Sequence, residues 1–423
     1  MAVFQIRSSN PRFSFVVGKN PNSGMLLRTV RKGKIYGWFS DNHTYNVYFK
    51  DAENEVSYPK DKDEQFEYLN VSRYHTPLFP LNVVADLFAS ASKKHHDDDT
   101  EGFEHKLMVN LVLVEQTRYL HFFKLHFKDY ELFWEEVAHQ NYRITIKTKK
   151  SLYELFNYSN TLFLFLSLMN RIYFDITNET IEKYIRSINV IDAPFFIRYL
   201  FVRNVLTKKE KFRRYKGLIE ETSRYTIDFA FGNTAIQRKD WITQQLEFQL
   251  PIIDVGCGEG AYSIPFSKEI VPRLVHSIDI DEAALLKVSE KAQRHEISNI
   301  ILYESIDHFL ANYTKDLADV LLTEVIEHMD KKSAEELILK IIQHVNCHKL
   351  IITTPNRDFN QFYNIELRHH DHQWEMNEQE FKSWIQSFIP PDWNYSHHGI
   401  GDNVNGIHTT QGLVLTRNAG EFK

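Results

Sequence analysis

Two carboxylates and an imidazole stand within five residues in the stretch "TEVIEHMD", Thr323 to Asp330. The stretch follows the apolar run "ADVLL", which predicts a buried strand. If Glu324 ends that strand and begins a helix, then Glu324, Glu327 and His328 lie at positions i, i+3 and i+4 and share one helical face. Acids in a first helical turn also complement the helix dipole, so these residues alone leave a metal-binding reading and a purely structural reading open.

A second group of possible ligands lies in "LRHHDHQWE", Leu367 to Glu375. This segment comes soon after "TTPNRDFN", which follows another apolar run, and so we expect both at the same edge of a sheet. The segment offers His369, His370, Asp371 and His372. Carboxylates together with imidazoles suit Mg²⁺, Mn²⁺ or Fe²⁺, and the lack of thiolates disfavours structural zinc.

The stretch "IIDVGCGEG" places Asp254 at the end of a predicted strand and glycines in the turn after it. Glycine lets the backbone approach a ligand closely. The spacing is G-x-G-x-G after an acid, whereas dinucleotide folds use G-x-G-x-x-G. Asp254 would repel a pyrophosphate but attract the amino group and sulfonium of S-adenosylmethionine. We therefore predict that Asp254, Gly256 and Gly258 bind that cofactor.

Two later strand ends complete the predicted cofactor site. Asp279 ends the run "LVHSID" and is suited to bind both ribose hydroxyls, as an acid does in nucleotide folds of this plan. Ser305 and Ile306 follow the third predicted strand, where an adenine would lie. These features resemble the S-adenosylmethionine-dependent methyltransferases.

The rhythm of apolar segments predicts the fold class and three regions. Residues 241–423 alternate short apolar strands with helices, which predicts a doubly wound α/β sheet of the class I methyltransferase type. Residues 1–150 read as a mixed α+β domain, and residues 151–240 as a helical connecting region. In the first region we expect strands at "RFSFVVG", "KIYGWFS", "YNVYFKD", "EHKLMVNLVLVE" and "YRITIKTK", helices at "LNVVADLFASA" and "YELFWEEVAHQ", and a solvated loop at "SKKHHDDDT".

Composition excludes several classes of protein. A formal net charge of −6 argues against a surface coated in positive charge, so a nucleic-acid partner must meet a local basic patch. Cys257 and Cys347 are the only cysteines, which rules out a disulfide framework and fits a reducing cytoplasm. The longest apolar run, "TLFLFLSLM", is about half a membrane span. We expect a cytoplasmic protein with no membrane segment.

Taken together and in this order, "EVIEH", "TPNRDFN" and "RHHDHQWE" resemble the RNA 3′-terminal ribose 2′-O-methyltransferases. The resemblance implies metal-dependent methyl transfer from S-adenosylmethionine to the 2′-hydroxyl at an RNA 3′ end. It also implies that Mn²⁺, or Mg²⁺, is held by Glu324, Glu327, His328 and His372. His370 or a metal ligand would accept the proton, Arg368 would pair with the terminal phosphodiester, and Asn360 would also contact RNA. Asp371 would orient His372.

The ends of the chain extend this resemblance. "GIGDNVNGIHTTQGLVLTR" is similar to the family's closing hairpin, and "NTAIQRKDWI" to the segment before its first strand. "FSFVVGKNP", "VYFKD" and "YLNVSRYHTPLFPLNVVADLF" resemble, in diverged form, the opening domain of the bacterial RNA-repair branch. For residues 1–150 this implies binding to an RNA ligase and to a polynucleotide kinase-phosphatase.

Two other functions remain open from the sequence. A quinone-type small-molecule O-methyltransferase would explain "IIDVGCGEG" and "EVIEH" but would leave "RHHDHQWE" and the long N-terminal region without a use. The second is a scaffold or activator of an RNA ligase with a decayed methyltransferase domain. The intact ligand set argues against decay, but scaffolding could coexist with catalysis. The sequence does not distinguish a tRNA fragment from a small RNA as substrate.

Overall fold

The structure, a computed structural model, describes residues 2–30, 33–51, 75–170, 172, 176–363 and 365–417. The chain forms two compact units, 1–224 and 225–423, each with its own sheet. Residues 68–74, which belong to the segment beginning "YLNVSRY", lie outside the described residues. Within the described ranges, no helix combines the length and the apolar character that crossing a membrane requires.

The first unit contains a seven-stranded sheet within its described residues. The strands are β1 (Ala2–Ser8), β2 (Leu26–Val30), β3 (Gly33–Asp41), β4 (Thr44–Asp51), β5 (His105–Leu113), β6 (Tyr130–Ala138) and β7 (Asn141–Thr148). They lie in the order β2-β3-β4-β1-β5-β7-β6, and every neighbouring pair is antiparallel. The helices are α1 (Phe13–Val16), α2 (Leu78–Leu87), α3 (Ala89–Lys93), α4 (Arg118–His126), α5 (Leu152–Met169), α6 (Asn178–Val190), α7 (Phe195–Val205) and α8 (Lys209–Glu220).

Helix α5 packs within the first unit and does not start a separate connecting region. Most of its residues are buried all around the helix, so it needs partners on every side. Phe156 stacks on Phe88 at 4.8 Å, and Tyr158 stacks on Tyr130 of β6 at 4.0 Å. The expected boundary near residue 150 is therefore wrong, and the first unit continues to residue 224.

The loop "SKKHHDDDT" caps the N-terminal end of helix α5 through Asp99. Asp99 is 1% exposed, and its two carboxylate oxygens accept hydrogen bonds of 2.8 Å from the backbone N–H groups of Leu152 and Tyr153. These are two of the amides that a helix N-terminus leaves without an internal partner. The neighbouring residues from Lys93 to Asp97 are exposed, as expected of a solvated loop.

Two local predictions in the first unit are wrong. "YELFWEEVAHQ" forms strand β6, in which Tyr130 and Leu132 are buried while Glu131 and Phe133 are exposed. That alternation has the period of a strand, and the pairing with β7 overrides the helical preference of the glutamates. "RFSFVVG" contains the short helix α1, which buries Phe13 and Val16 three residues apart.

The second unit contains an eight-stranded sheet within its described residues. The strands are β8 (Ile227–Asp228), β9 (Ile252–Val255), β10 (Val275–Ile278), β11 (Ile300–Tyr303), β12 (Ala318–Thr323), β13 (Cys347–Pro355), β14 (Trp393–Val404) and β15 (Ile407–Arg417). The helices are α9 (Thr234–Gln245), α10 (Ser263–Glu269), α11 (Glu282–Arg294), α12 (Ile306–Asn312), α13 (Lys331–His344), α14 (Asn360–Tyr363) and α15 (Glu378–Phe388), with short 3-10 helices at Ile326–His328 and Arg357–Phe359.

The strand order β11-β10-β9-β12-β13-β15-β14-β8 confirms the doubly wound prediction. The pairs from β11 to β13 are parallel, and the predicted closing hairpin forms β14 and β15, which extend the sheet in antiparallel fashion. The chain runs from β9 outwards to β11 and then returns to place β12 on the other side of β9. Such a reversal is where ligands bind in open α/β sheets, outside the carboxyl ends of the strands.

A buried histidine makes the stability of the first unit depend on pH. His105 in β5 is 1% exposed, and neither ring nitrogen has a hydrogen-bond partner among the described residues. Burial lowers the pKa of His105 to about 4. Between pH 6.5 and 4 the unfolded chain therefore binds more protons at this site, so stability falls as pH falls through that range. Between pH 7 and pH 5 this histidine should cost the natural chain about 2 kcal/mol of unfolding free energy, and His105→Leu should remove that loss.

The measurement is the free energy of unfolding by urea at both pH values, for the natural chain and for His105→Leu. The exposed His139 provides the control, because His139→Leu should leave the pH dependence unchanged. The prediction would be contradicted if the His105→Leu chain lost as much unfolding free energy between pH 7 and pH 5 as the natural chain does.

Candidate active site

The turn after β12 brings Glu324 to the carboxyl edge of the sheet, but not by the expected helix. Glu324 has φ of 55°, in the left-handed region, and only the three residues Ile326–His328 are helical. Helix α13 begins later, capped by the side chain of Asp330. The expected common helical face of Glu324, Glu327 and His328 is therefore wrong. A left-handed non-glycine residue stores strain, as is frequent at functional sites.

Glu327 is the buried carboxylate of the cluster, with no exposed surface. Its Oε2 accepts a hydrogen bond of 3.2 Å from Thr354, whereas its Oε1 has no partner among the described residues. Burial, and then the neighbouring Glu324, raise the pKa of Glu327 well above its usual range. A buried carboxylate oxygen without a donor is energetically costly unless a cation or a proton satisfies it.

The loop at residues 369–375 is fastened to this turn by hydrogen bonds. The Gln373 backbone N–H donates to the Glu327 carbonyl at 2.8 Å, and the Gln373 side chain donates to the His328 carbonyl at 3.0 Å. The Trp374 indole donates to the Met329 carbonyl at 2.7 Å. The loop therefore has a fixed position beside the turn.

His372 is oriented by a carboxylate. Its Nδ1 lies 2.6 Å from Oε1 of Glu375, and both side chains are buried. With Nδ1 engaged, Nε2 is the nitrogen left to bind a ligand. Asp371, which we expected in the orienting role, instead contacts His369 and lies 3.4 Å from Nδ1 of His328.

The predicted ligands converge in part. Within the described part of the chain, Glu327, His328 and His372 each offer a ligand atom, and these atoms lie within 4.8 Å of one another. Glu324 is not in this group, and its carboxylate accepts hydrogen bonds from Arg238 at 2.8 Å and Thr353 at 3.2 Å. His370 lies in a separate, exposed group with His369 and Asp371.

Arg368 and Asn360 hold the histidine loop together. The Arg368 guanidinium donates to the Asn360 side-chain oxygen at 3.0 Å and to the Asn356 carbonyl at 3.1 Å. The Asn360 side chain is 2% exposed and donates to Glu375 and to the Glu366 carbonyl. In this structure both side chains are engaged in hydrogen bonds within the loop.

The glycine turn after β9 forms an open cradle. Gly258 has φ of 51°, and a Cβ added there would meet nothing within 4 Å, so the space beside it is free for a ligand. A Cβ on Gly256 would instead lie 2.3 Å from Cγ2 of Val325, which fixes the glycine turn against the turn that carries Glu324. The Gly258 N–H donates to Asp279 at 2.7 Å, so the predicted ribose-binding acid is held at the cradle.

The other predicted cofactor residues lie around the same edge. Asp254 is fully buried below the turn and accepts a hydrogen bond of 2.6 Å from Ser263, and burial raises its pKa to about 6. Ser305 caps α12 by accepting from the His308 N–H, and Ile306 is the first residue of that helix. Ile280, directly after Asp279, is 90% exposed.

Sequence reasoning missed the residues that support the ligands. Arg238 on α9 pairs with Glu324, Thr353 and Thr354 each donate to one glutamate, and Glu375 orients His372. Adjacent threonines after the fifth apolar run were a possible signal. Ile280 was also visible as an apolar residue in a polar turn, whereas the partner of Arg238 is distant in sequence and could not be read from spacing.

The fold and cradle define a class I S-adenosylmethionine methyltransferase domain in the second unit. A family model for a methyltransferase domain matches residues 247–399, and one described as the Hen1 N-terminal domain matches residues 3–224. The second of these matches covers more than half of the chain. The chain belongs to the Hen1 family.

Individual relatives agree with this assignment. A chain in a solved structure of the Pnkp1/Rnl/Hen1 RNA repair complex has a TM-score of 0.83 and 25% identity, covering 98% of this chain and 100% of that chain. A small RNA 2′-O-methyltransferase of Caenorhabditis elegans is 26% identical over 155 residues, 31% of this chain and 34% of that protein. One of Xenopus tropicalis is 32% identical over 106 residues, 23% of this chain and 28% of that protein. The matched region spans about a third of the length of these two relatives.

The open space beside Gly258 gives a direct test of the cradle. Gly258→Ala should weaken binding of S-adenosylmethionine by about tenfold or more, because the new methyl group occupies ligand space. The left-handed backbone should cost only about 1 kcal/mol of stability. Calorimetric titration with the cofactor and thermal unfolding measure the two effects.

Gly18→Ala is the matched control, since Gly18 has a φ of 61°, close to that of Gly258, and open space beside it, but lies in the first unit. It should carry the same backbone cost and bind the cofactor normally. Unchanged cofactor affinity in Gly258→Ala would show that the cradle lies elsewhere.

Proposed function

We propose that this chain transfers a methyl group from S-adenosylmethionine to the 2′-hydroxyl of the 3′-terminal ribose of RNA. The observation that carries the proposal is the convergence of Glu327, His328 and His372 at the sheet edge, beside the glycine cradle. The family membership and the names of the C. elegans and Xenopus relatives support the same reaction.

The residues present fit a divalent cation. One buried carboxylate oxygen has no other partner in the described structure, one imidazole has its second nitrogen fixed by Glu375, and the donors are oxygen and nitrogen without sulfur. This set suits Mn²⁺ or Mg²⁺. Glu327, His328 and His372 would hold the ion, and Glu324 would add a fourth ligand through the lone pairs that Arg238 and Thr353 leave free.

Substrate selection follows from the same donor set. When bound, the cation would act as a Lewis acid that lowers the pKa of the ribose hydroxyl and would engage the neighbouring 2′ and 3′ oxygens of a terminal nucleotide. An internal ribose or a 3′-phosphate lacks that pair of free hydroxyls. The reactive end of the RNA is therefore selected by the terminal diol.

The chain's own groups orient the reactants and remove the proton. Asp279 and the Gly258 cradle would place the cofactor's methyl group at the sheet edge, with Ser305, Ile306 and Ile280 around the adenine. As the 2′ oxygen bonds to the methyl carbon and the sulfonium bond breaks, the hydroxyl proton passes to His370 or to a ligand side chain. The products are the 2′-O-methyl ribose and S-adenosylhomocysteine.

The partners and compartment are also proposals. The resemblance of this chain to a chain of the Pnkp1/Rnl/Hen1 RNA repair complex supports binding to an RNA ligase and a polynucleotide kinase-phosphatase. A tRNA fragment and a small RNA are both compatible substrates. Cys257 and Cys347 are buried and free, which supports a cytoplasmic location.

RNAs that differ only in the groups on their 3′-terminal ribose test the proposed substrate. Transfer should be efficient on an RNA ending in a 2′,3′-diol. It should fall by about two orders of magnitude or more with a 3′-deoxy or 3′-phosphate end, because losing one of two oxygens removes several kcal/mol of stabilisation. Initial rates with radiolabelled cofactor measure this, and equal rates on the three ends would refute selection by the diol.

Substitution of the buried carboxylate tests the metal site. Glu327→Gln should lower Mn²⁺ affinity by at least about tenfold and abolish transfer, because a neutral amide replaces a charged ligand of the same shape. Binding of S-adenosylhomocysteine should stay normal, and Glu324→Ala should likewise lose transfer but keep cofactor binding. Electron paramagnetic resonance counts bound Mn²⁺ independently of activity.

Glu336→Gln, an exposed site on α13, is the matched control and should bind Mn²⁺ like the natural chain. Normal Mn²⁺ binding by Glu327→Gln would place the metal elsewhere.

A further inference from the structure

One face of the sheet in the first unit is exposed along a row of basic residues. Phe4 and Ile6 of β1 point to the helices and are buried, whereas Arg7 between the buried Ile6 and Ser8 is exposed. Lys106 of β5 and Lys147 of β7 are exposed in the same way. The face opposite the helices therefore carries these cations.

The three cations stand side by side across three neighbouring strands. Arg7 pairs in register with Lys106, and Lys106 pairs with Lys147. With strands about 4.8 Å apart, the row spans about 10 Å. We call Arg7, Lys106 and Lys147 the basic row.

The basic row is only partly neutralised by nearby acids. A hydrogen bond from the His43 backbone and, among smaller causes, the charge of Arg7 lower the pKa of Asp41. Among the described residues, none of its members forms an ion pair within 4 Å. Glu131 lies opposite Lys147, but the Lys147 ammonium lies 5.2 Å from the ring of Phe133 instead. Like charges directly opposite one another in a sheet are destabilising. Three cations in register repel one another, so an anionic ligand that binds along the row would be stabilising.

The same face offers aromatic rings and a second basic pair. Tyr36 of β3 and Tyr48 of β4 pair in register with ring centroids 6.0 Å apart. Two residues further along the same strands, the exposed Lys34 and Lys50 also pair in register. Lys50 lies six positions along β4 from Thr44, which pairs with Arg7, so about 20 Å lies between the two basic ends.

We propose that this sheet face binds single-stranded RNA, with phosphates on the basic row and on the pair Lys34–Lys50 and with bases against Tyr36 and Tyr48. A cationic track with interleaved aromatic rings is the way single strands are held without sequence preference. Several nucleotides of an extended strand cover the 20 Å. The inference rests on the proposed function in one respect, since it takes RNA as the substrate class.

Binding of RNA to the full chain tests the proposal without relying on catalysis. The probe is an unstructured, fluorescein-labelled oligoribonucleotide, measured by fluorescence polarisation over a range of salt concentrations. The variant Arg7→Ala, Lys106→Ala, Lys147→Ala should bind it about tenfold more weakly. The slope of log Kd against log salt should fall by about 2, at roughly 0.7 per phosphate contact.

Two further variants separate charge and stacking from misfolding. Arg7→Lys, Lys106→Arg, Lys147→Arg keeps the charges and should retain the natural affinity and salt slope. Tyr36→Leu with Tyr48→Leu should weaken binding by about fivefold or more while leaving the salt slope unchanged. The thermal stability of the alanine variant should be equal or higher, because repulsion between like charges is removed.

The matched control removes three exposed charges from the helical side, with Lys93→Ala, Lys94→Ala and Lys128→Ala. It should bind the probe like the natural chain. Unchanged RNA affinity and salt slope in the basic-row variant would overturn the proposal. An equal loss of RNA affinity in the control variant would overturn it too, as would a basic row that binds an acidic protein but no RNA. If no RNA is methylated at all, the proposed function fails while this binding result still stands by itself.

Discussion

The buried carboxylate of Glu327 is the constraint on which the second unit's site depends. Its Oε2 accepts a hydrogen bond from Thr354, whereas its Oε1 has no hydrogen-bond partner among the described residues. Burying a charge in that state is costly. The Glu327 backbone carbonyl also receives the Gln373 amide, which fastens the loop that carries His372 to this turn. The turn and the histidine loop are therefore coupled, and His372 reaches the site only because the coupling exists.

The sheet topology explains why these two segments meet. β9 and β12 are neighbours although the chain passes through β10 and β11 between them, so the glycine turn and the Glu324 turn emerge side by side. Val325 fills the place that a side chain on residue 256 would take. A methyl donor bound in the cradle would thus lie at the same sheet edge as the proposed metal ligands.

Most of the second unit could be predicted from the sequence, because its signals are local. Each parallel strand is a short apolar run, and the glycines and acids follow strand ends directly. The errors arose where a distant partner decided the conformation. β6 has glutamates that favour a helix, but pairing with β7 makes it a strand. Glu324 leaves its strand in a left-handed conformation and so does not begin a helix. We expected Asn360 to contact RNA, yet its side chain is buried and bonded to Glu375 and Arg368.

The ion pair between Arg238 and Glu324 shows how the site is balanced electrically. Glu324 and Glu327 lie close enough that each disfavours the charge of the other, and Arg238 reduces that repulsion. One guanidinium cannot neutralise two carboxylates, so the pair carries a net negative charge whenever both are ionised. A divalent cation would reverse that sign, and the site would then attract an electron-rich ribose oxygen. The negative charge that Arg238 leaves uncompensated supports the proposed cation site.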